Sequence, residues 1–261
     1  MTPDPLHDEV PSVNARTGLF QATKLRLREV FTCDKKDPRQ ALSVDEEVFK
    51  HLLEMAGEIV RKQPSGLSSL VTAMLRPLQA EQVLSVAERP QHAARACVDL
   101  DQLFSPEYFF SYFDENDCVR LPVEGYRLDL SRDIVFTTPW RRDRFANALI
   151  SIGTGKPSGP WRQDGNHSVT LVLPWRFGIV NGGNHSITAG ILGHEGKLVP
   201  TYVIDLTPLL NRVTCNGKQF ICRQSGRSLA KVSNGRMAAL FEIGRMMSNS
   251  GAKPTPASTL P

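Results

Sequence analysis

The first strong periodicity begins after Ser43. Phe49, Leu52, Leu53, Ala56, Ile59 and Val60 recur at three- and four-residue spacing, which predicts an amphipathic helix with one apolar stripe. Ser43 followed by Glu46 has the capping-box pattern for its start. Pro64-Ser65-Gly66 marks its end. A second helix is expected from Leu67 to about Arg76. Pro77 should break it or open a further helix reaching about Glu88, because a proline ring clashes with the carbonyl four residues back. Further on, Phe104, Tyr108, Phe109, Phe110, Tyr112 and Phe113 form an aromatic stripe. It reads as core packing, with base stacking the alternative.

Beyond residue 131 the elements shorten. Asp133–Thr137 (DIVFT) is strand-like. Thr138-Pro139 supplies an N-cap and a first-turn proline for a helix that lines up Phe145, Ala148, Leu149 and Ile152, and Gly153 should stop it. Ser168–Pro174 and Phe177–Val180 read as strands joined at Trp175-Arg176. A helix is expected from Asn184 to Gly193, then a strand over Pro200–Leu206. Asn216-Gly217 signals a two-residue hairpin turn that would pair Cys215 with Lys218. Cys215 and Cys222 would then sit ~13 Å apart on one face, too far for a disulfide. Ser228–Met247 reads as a closing helix with Gly235 a weak point.

The expected fold class is therefore α+β: a small mixed β-sheet with a helical N-terminal half and a C-terminal helix. The division expected along the chain is a disordered lead over 1–15, a helical region over 16–130, an α+β core over 131–247 and a disordered tail over 248–261.

Composition narrows the class without naming a function. The chain has 261 residues, 31 Lys and Arg against 27 Asp and Glu, and 41% hydrophobic residues, which excludes collagen, coiled coil and wholesale disorder. Five cysteines at scattered positions, with no C-x-x-C, make neither a disulfide framework nor a zinc site. No apolar run approaches the ~18 residues of a membrane span. The first residues lack a signal peptide's apolar stretch, so the expected location is the cytoplasm. Charge is uneven. Asp99–Asp117 holds six acids and no base, whereas Thr207–Met247 holds seven Lys or Arg and one acid. Such a basic face is either a solvated surface or a nucleic-acid footprint.

The chemically pointed stretch is 161–190, where Gly-Asn-His-Ser occurs twice, at Gly165–Ser168 and Gly183–Ser186. If the residues between form a hairpin, both copies fall at its open end and His167 and His185 can converge. In the second copy an apolar strand runs through Asn181-Gly182-Gly183 into a helix. Glycines there admit a ligand close to the backbone, and free amides at a helix start attract phosphate. His185 is a candidate acid/base or phosphate donor, with Ser186 and Asn184 beside it. The alternative is that Asn184 and Ser186 merely cap the helix. Asp164 is a candidate to orient His167 or to hold a divalent metal. Trp140, Trp161 and Trp175 bracket the region, as packing or as base-stacking groups. Asp205 is a further metal or base candidate.

A strand, Gly-Gly-x-His at a helix start, a helix of small residues and a strand such as VPTYVIDL together resemble the ParB/sulfiredoxin-like superfamily over about residues 133–210. The doubled Asn-His-Ser resembles the fertility-inhibition and oncogenic-suppression proteins of conjugative plasmids. Asn184 stands where sulfiredoxin has its reactive cysteine, so sulfiredoxin chemistry is not expected. Ser186 stands where the superfamily has an arginine, leaving the phosphate clamp to Arg144, Arg162, Lys156 or Arg176. The resemblance implies a fertility-inhibition factor that blocks conjugative or T-DNA transfer of a competing element, through DNA or a DNA–protein transfer complex. It implies ATP, a divalent metal (Mg or Mn) and hydrolysis of ATP or DNA. His185, His167, Ser186 and Asn184 would act as catalytic groups, Gly182, Gly183, Arg144 and Arg162 would bind phosphate, and Asp164 would hold the metal. The alternative is a non-enzymatic module that docks on a type IV secretion coupling protein, without membrane insertion.

Overall fold

The computed structural model describes residues 42–88, 103–104 and 118–250. The expected lead over 1–15, the tail from Gly251, Cys33, Cys97 and most of the aromatic stripe lie outside the described residues.

Helix α1 (Val44–Lys62) starts as its cap dictates: the Ser43 hydroxyl accepts the N–H of Glu46 at 3.2 Å. A 3₁₀ turn at Pro64–Gly66 leads into α2 (Leu67–Glu88). Pro77 neither ends α2 nor starts another helix, contrary to the sequence pattern. One lost helical bond is offset by what the continuous helix buries: Val71, Met74, Leu75 and Val83, with Gln79 donating to the carbonyl of Val135 at 2.9 Å.

The remaining elements are β1 (Val119–Leu121), β2 (Leu128–Asp129), β3 (Val135–Phe136), α3 (Arg142–Ser151), β4 (Ser168–Leu173), β5 (Phe177–Gly182), α4 (Asn184–Leu192), β6 (Lys197–Leu198), β7 (Tyr202–Asp205), α5 (Thr207–Arg212), β8 (Val213–Cys215), β9 (Gln219–Cys222), β10 (Ser228–Lys231) and α6 (Gly235–Asn249). The described residues thus form a mixed α+β fold. A five-stranded sheet runs β1-β7-β4-β5-β3, with β7/β4 and β5/β3 parallel and the other pairs antiparallel. Its edge strand β1 comes from the half of the chain that reads as helical.

Strand periodicity explains the layers. Val172, Phe177, Ile179, Ile204 and Phe136 face one core, shared with α1, α2 and α6. Val135, Val169, Leu171, Leu173, Val180 and Val203 face the other, shared with α4, β2 and β6. No helix among the described residues is long and apolar enough to cross a membrane.

Three further expectations need correcting. Helix α3 begins at Arg142, not after Thr138, whose N–H donates instead to the Asn184 side chain at 2.6 Å and ties the 138–141 loop to α4. The Asn216-Gly217 turn joins strands paired as Cys215 with Phe220, so four residues intervene. Asn216 accepts the N–H groups of Lys218 and Gln219 at 3.0 Å, making an Asx turn that needs only Gly217 at positive φ. With Cys215 opposite Phe220, Cys222 lies two residues further along β9 and not four, and both are free thiols. The proposed helix over Ser228–Met247 is strand β10 followed by α6, which Asn234 caps through the N–H of Met237. Gly235 therefore lies in the first turn of α6 and α6 ends at Asn249.

Candidate functional site

Parallel pairing of β3 with β5 aligns their C-terminal ends, so the loops leading to α3 and α4 leave the sheet side by side. Crevices at such strand ends are where α/β sheets bind ligands. Ser168 lies opposite Gly182 across the β4–β5 ladder, which puts both Gly-Asn-His-Ser copies at the open end of the hairpin. Asn181 is the extra residue of a bulge there.

Gly183 is the N-cap of α4, at φ 79°, and no side chain caps the helix. Asn184 and His185 instead reach outward to the 138–141 loop. The Asn184 side chain accepts from Thr138. The Nε2 atom of His185 accepts the N–H groups of Trp140 and Arg141 at 3.3 and 3.2 Å. Below them the Thr188 hydroxyl donates to the Asn184 carbonyl at 2.7 Å and lies 2.8 Å from the buried Thr137 hydroxyl, from which it accepts. The Ser186 hydroxyl accepts from the Trp161 indole N–H at 3.0 Å. The first turn of α4 is thus fixed by side chains, while its leading amides receive no side-chain cap.

His167 faces other neighbours. It is buried, with its ring 4.9 Å from that of Trp161. Its Nδ1 accepts the N–H of Asp164 at 2.8 Å, so the ring proton is on Nε2. Burial holds its pKa below the ordinary value, and the Asp164 carboxylate, 3.2 Å from Nδ1, partly offsets this. Asp164 itself is exposed and also accepts the N–H of Asn166 at 2.8 Å. Among the described residues no cluster of three His, Cys, Asp or Glu side chains is placed to hold a metal.

The candidate phosphate groups are dispersed. Arg144 lies 5.7 Å and Arg141 6.0 Å from the ring centroid of exposed Trp140, and Trp140 lies 5.8 Å from the His185 ring. They form a cationic and aromatic rim beside α4. Arg162 is exposed. Lys156 donates to the carbonyl of Leu149 at 2.6 Å, and Arg176 to that of Arg127 at 2.6 Å, so both serve local structure. Trp161 and Trp175 are buried packing residues; Trp175 donates to the Leu240 carbonyl at 2.7 Å. Asp205 accepts the N–H and hydroxyl of Thr207, which makes it a helix-start ligand.

Sequence reasoning missed Glu195. Its carboxylate accepts the N–H and hydroxyl of Thr154 and the N–H of Trp161, at 3.1, 2.6 and 3.0 Å. The Thr154 hydroxyl and the Trp161 amide hold its pKa below the usual carboxylate value. Glu195 thereby places Trp161, which in turn holds Ser186 and packs on His167. Gly196 makes room for the indole: a Cβ there would come within 2.4 Å of the ring. The pair of glycines flanking His194-Glu195 was the only local hint of this contact.

No curated protein and no solved structure matches the chain. A family model does match it, over residues 34–253, and the chain belongs to that family, DUF6710, a family of unknown function.

Proposed function

We propose that the chain recognises a phosphate group at the Gly182–Ser186 turn, in the manner of the ParB/sulfiredoxin-like proteins it resembles, and acts as a fertility-inhibition factor in DNA transfer. One observation carries the reading. Helix α4 starts at a left-handed glycine without a side-chain cap, at the C-terminal ends of two adjacent parallel strands. Leading amides in that position favour an anion. Arg144 beside Trp140 supplies a cation at the rim, whereas the Arg141 guanidinium is paired with the Asp143 carboxylate. The transfer context rests on the doubled Asn-His-Ser.

The state of the two histidines favours binding over hydrolysis. His167 is buried and neutral, and proton uptake at His185 Nε2 would break two backbone bonds. This supports the second reading, a module that docks on a transfer coupling protein with the turn as its recognition element.

The test incubates the full chain with labelled ATP and with plasmid DNA, each with Mg²⁺ or Mn²⁺, alongside His185→Ala and His167→Ala. Phosphate or nucleotide binding lost in His185→Ala is the expected result. Binding absent from the unaltered chain, or unchanged in His185→Ala, sinks the site. Plasmid transfer assayed in donor cells decides between the readings. Inhibition that survives the loss of nucleotide binding selects docking.

A further inference from the structure

Between Thr207 and Phe241 the chain carries six Lys or Arg and no Asp or Glu, and all six cations are exposed. The fold gathers five of them on the separate sheet β8-β9-β10. That sheet buries Val213, Cys215, Phe220 and Ala230 toward the core. Arg223 follows β9 and Arg227 precedes β10. The turn between them is closed by the Cys222 N–H on the Arg227 carbonyl at 2.9 Å and the Gly226 N–H on the Cys222 carbonyl at 2.8 Å. The Arg223 N–H donates to the Arg212 carbonyl at 2.8 Å, which brings the end of α5 to the same corner. The Arg223 guanidinium is steadied by the Asn211 carbonyl at 3.3 Å.

At the other end of β9, about 13 Å away, Lys231 lies opposite Gln219, and the Val232 N–H donates to the Lys218 carbonyl. Lys218 pairs with the half-buried Glu46 at 3.9 Å and borders a pocket lined by Leu42, Phe49, Leu53 and Glu54. No described carboxylate pairs with Arg223, Arg227 or Lys231. The nearest acid in sequence, Glu242, is buried and held by Arg245 at 2.9 Å.

The surroundings select the partner. The exposed large apolar residues among those described run from Leu42 to Tyr202, with none on 207–250. At the end that carries Arg212, Arg223 and Arg227 the surface therefore offers no wedge for a bilayer and no apolar centre for a protein interface. It also offers no exposed aromatic on which single-stranded bases stack. Exposed cations without stacking neighbours match a duplex backbone, whose phosphates present the highest linear charge. We infer that the corner formed by Arg212, Arg223 and Arg227, with Lys218 and Lys231 at the far end of β9, binds the phosphate backbone of duplex nucleic acid without reading its sequence. This surface is separate from the α4 turn and does not depend on the phosphate reading of that turn.

Fluorescence anisotropy of the full chain with a labelled duplex of about 20 base pairs, two helical turns, tests it over a range of salt. The duplex should bind more tightly than a single strand of equal length or vesicles of anionic lipid. The double variant Arg223→Glu/Arg227→Glu should bind at least ~10-fold more weakly at low salt and flatten the plot of log K against log salt by about 2. Arg227→Glu alone leaves the Arg223–Asn211 contact intact, guards against misfolding of the double variant, and should flatten the plot by about 1. Arg61→Glu/Lys62→Glu on α1 makes the same change in net charge and should leave the slope unaltered. Unchanged affinity and slope in the Arg227 variants, an equal loss in the α1 variant, or preference for single strand or vesicles overturns the inference.

Discussion

The imidazole of His167 fills the space that a side chain at Gly183 would need: a Cβ at 183 would lie 2.3 Å from its Cδ2 atom. The two Gly-Asn-His-Ser copies are therefore interlocked, with the histidine of the first roofed by the glycine of the second. Together with a φ of 79°, this makes position 183 glycine-specific on two independent grounds.

Gly183→Ala should destabilise the fold by about 2–4 kcal/mol, combining left-handed strain with overpacking. Because part of that loss is the clash with His167, Gly183→Ala and His167→Ala should be less than additive in a double-mutant cycle. Urea denaturation checks both. A loss below about 0.5 kcal/mol for Gly183→Ala would mean that the turn is not held as described.

His167 should make stability depend on pH. Its folded pKa lies below the ordinary 6.5 because burial disfavours the imidazolium. In the window between the two values the unfolded chain binds more protons than the folded one, so stability rises with pH there. The contribution is complete above 6.5 and is lost as pH falls toward the depressed folded value. Subtracting the profile of His167→Asn, which keeps an acceptor near Nδ1, isolates the effect, and an NMR titration of the ring reads it directly. Parallel profiles for the two proteins would contradict the buried neutral ring.

Glu195→Ala leaves the N–H groups of Thr154 and Trp161 without their acceptor. A measurable loss of stability is expected. The diagnostic is local: Trp161 emission should shift to the red as its loop loosens, and amide exchange at Ser186 should quicken, while the β8-β9-β10 sheet stays protected. Unaltered emission and exchange would show that Trp161 is held by packing alone.

Gly235→Ala tests the contact between the starts of α1 and α6. A Cβ at 235 would meet the Asp45 carbonyl oxygen at 2.0 Å, and the Gly235 N–H donates to the Asp45 carboxylate at 2.7 Å. The obstacle is backbone, so trimming Asp45 cannot relieve it. Thermal unfolding should drop by the equivalent of at least ~2 kcal/mol for Gly235→Ala and by about 1 kcal/mol for Asp45→Ala. A double variant restored by Asp45→Ala would refute the backbone clash.

These predictions differ in how readable they are from residue order. The apolar period of α1, its serine cap, the alternation through β4 and β5 and the Gly-Gly break before α4 are local patterns, and the fold keeps them because each element's own hydrogen bonds and apolar face demand them. The same holds for the acid-free basic stretch over 207–241, whose charges stay in water wherever the chain folds.

Other features depend on partners far away along the chain. Pro77 is tolerated because α2 seals a core built by β3 and α6. The Thr138 amide is held by Asn184, 46 residues later, in a loop that precedes α3. His167 becomes a buried neutral ring because Trp161 and Gly183 close over it, and Glu195 matters only because the loop at 154–161 folds back onto it. Local periodicity records which residues shun water; it does not record which distant residues satisfy them, and the character of this site is set by that pairing.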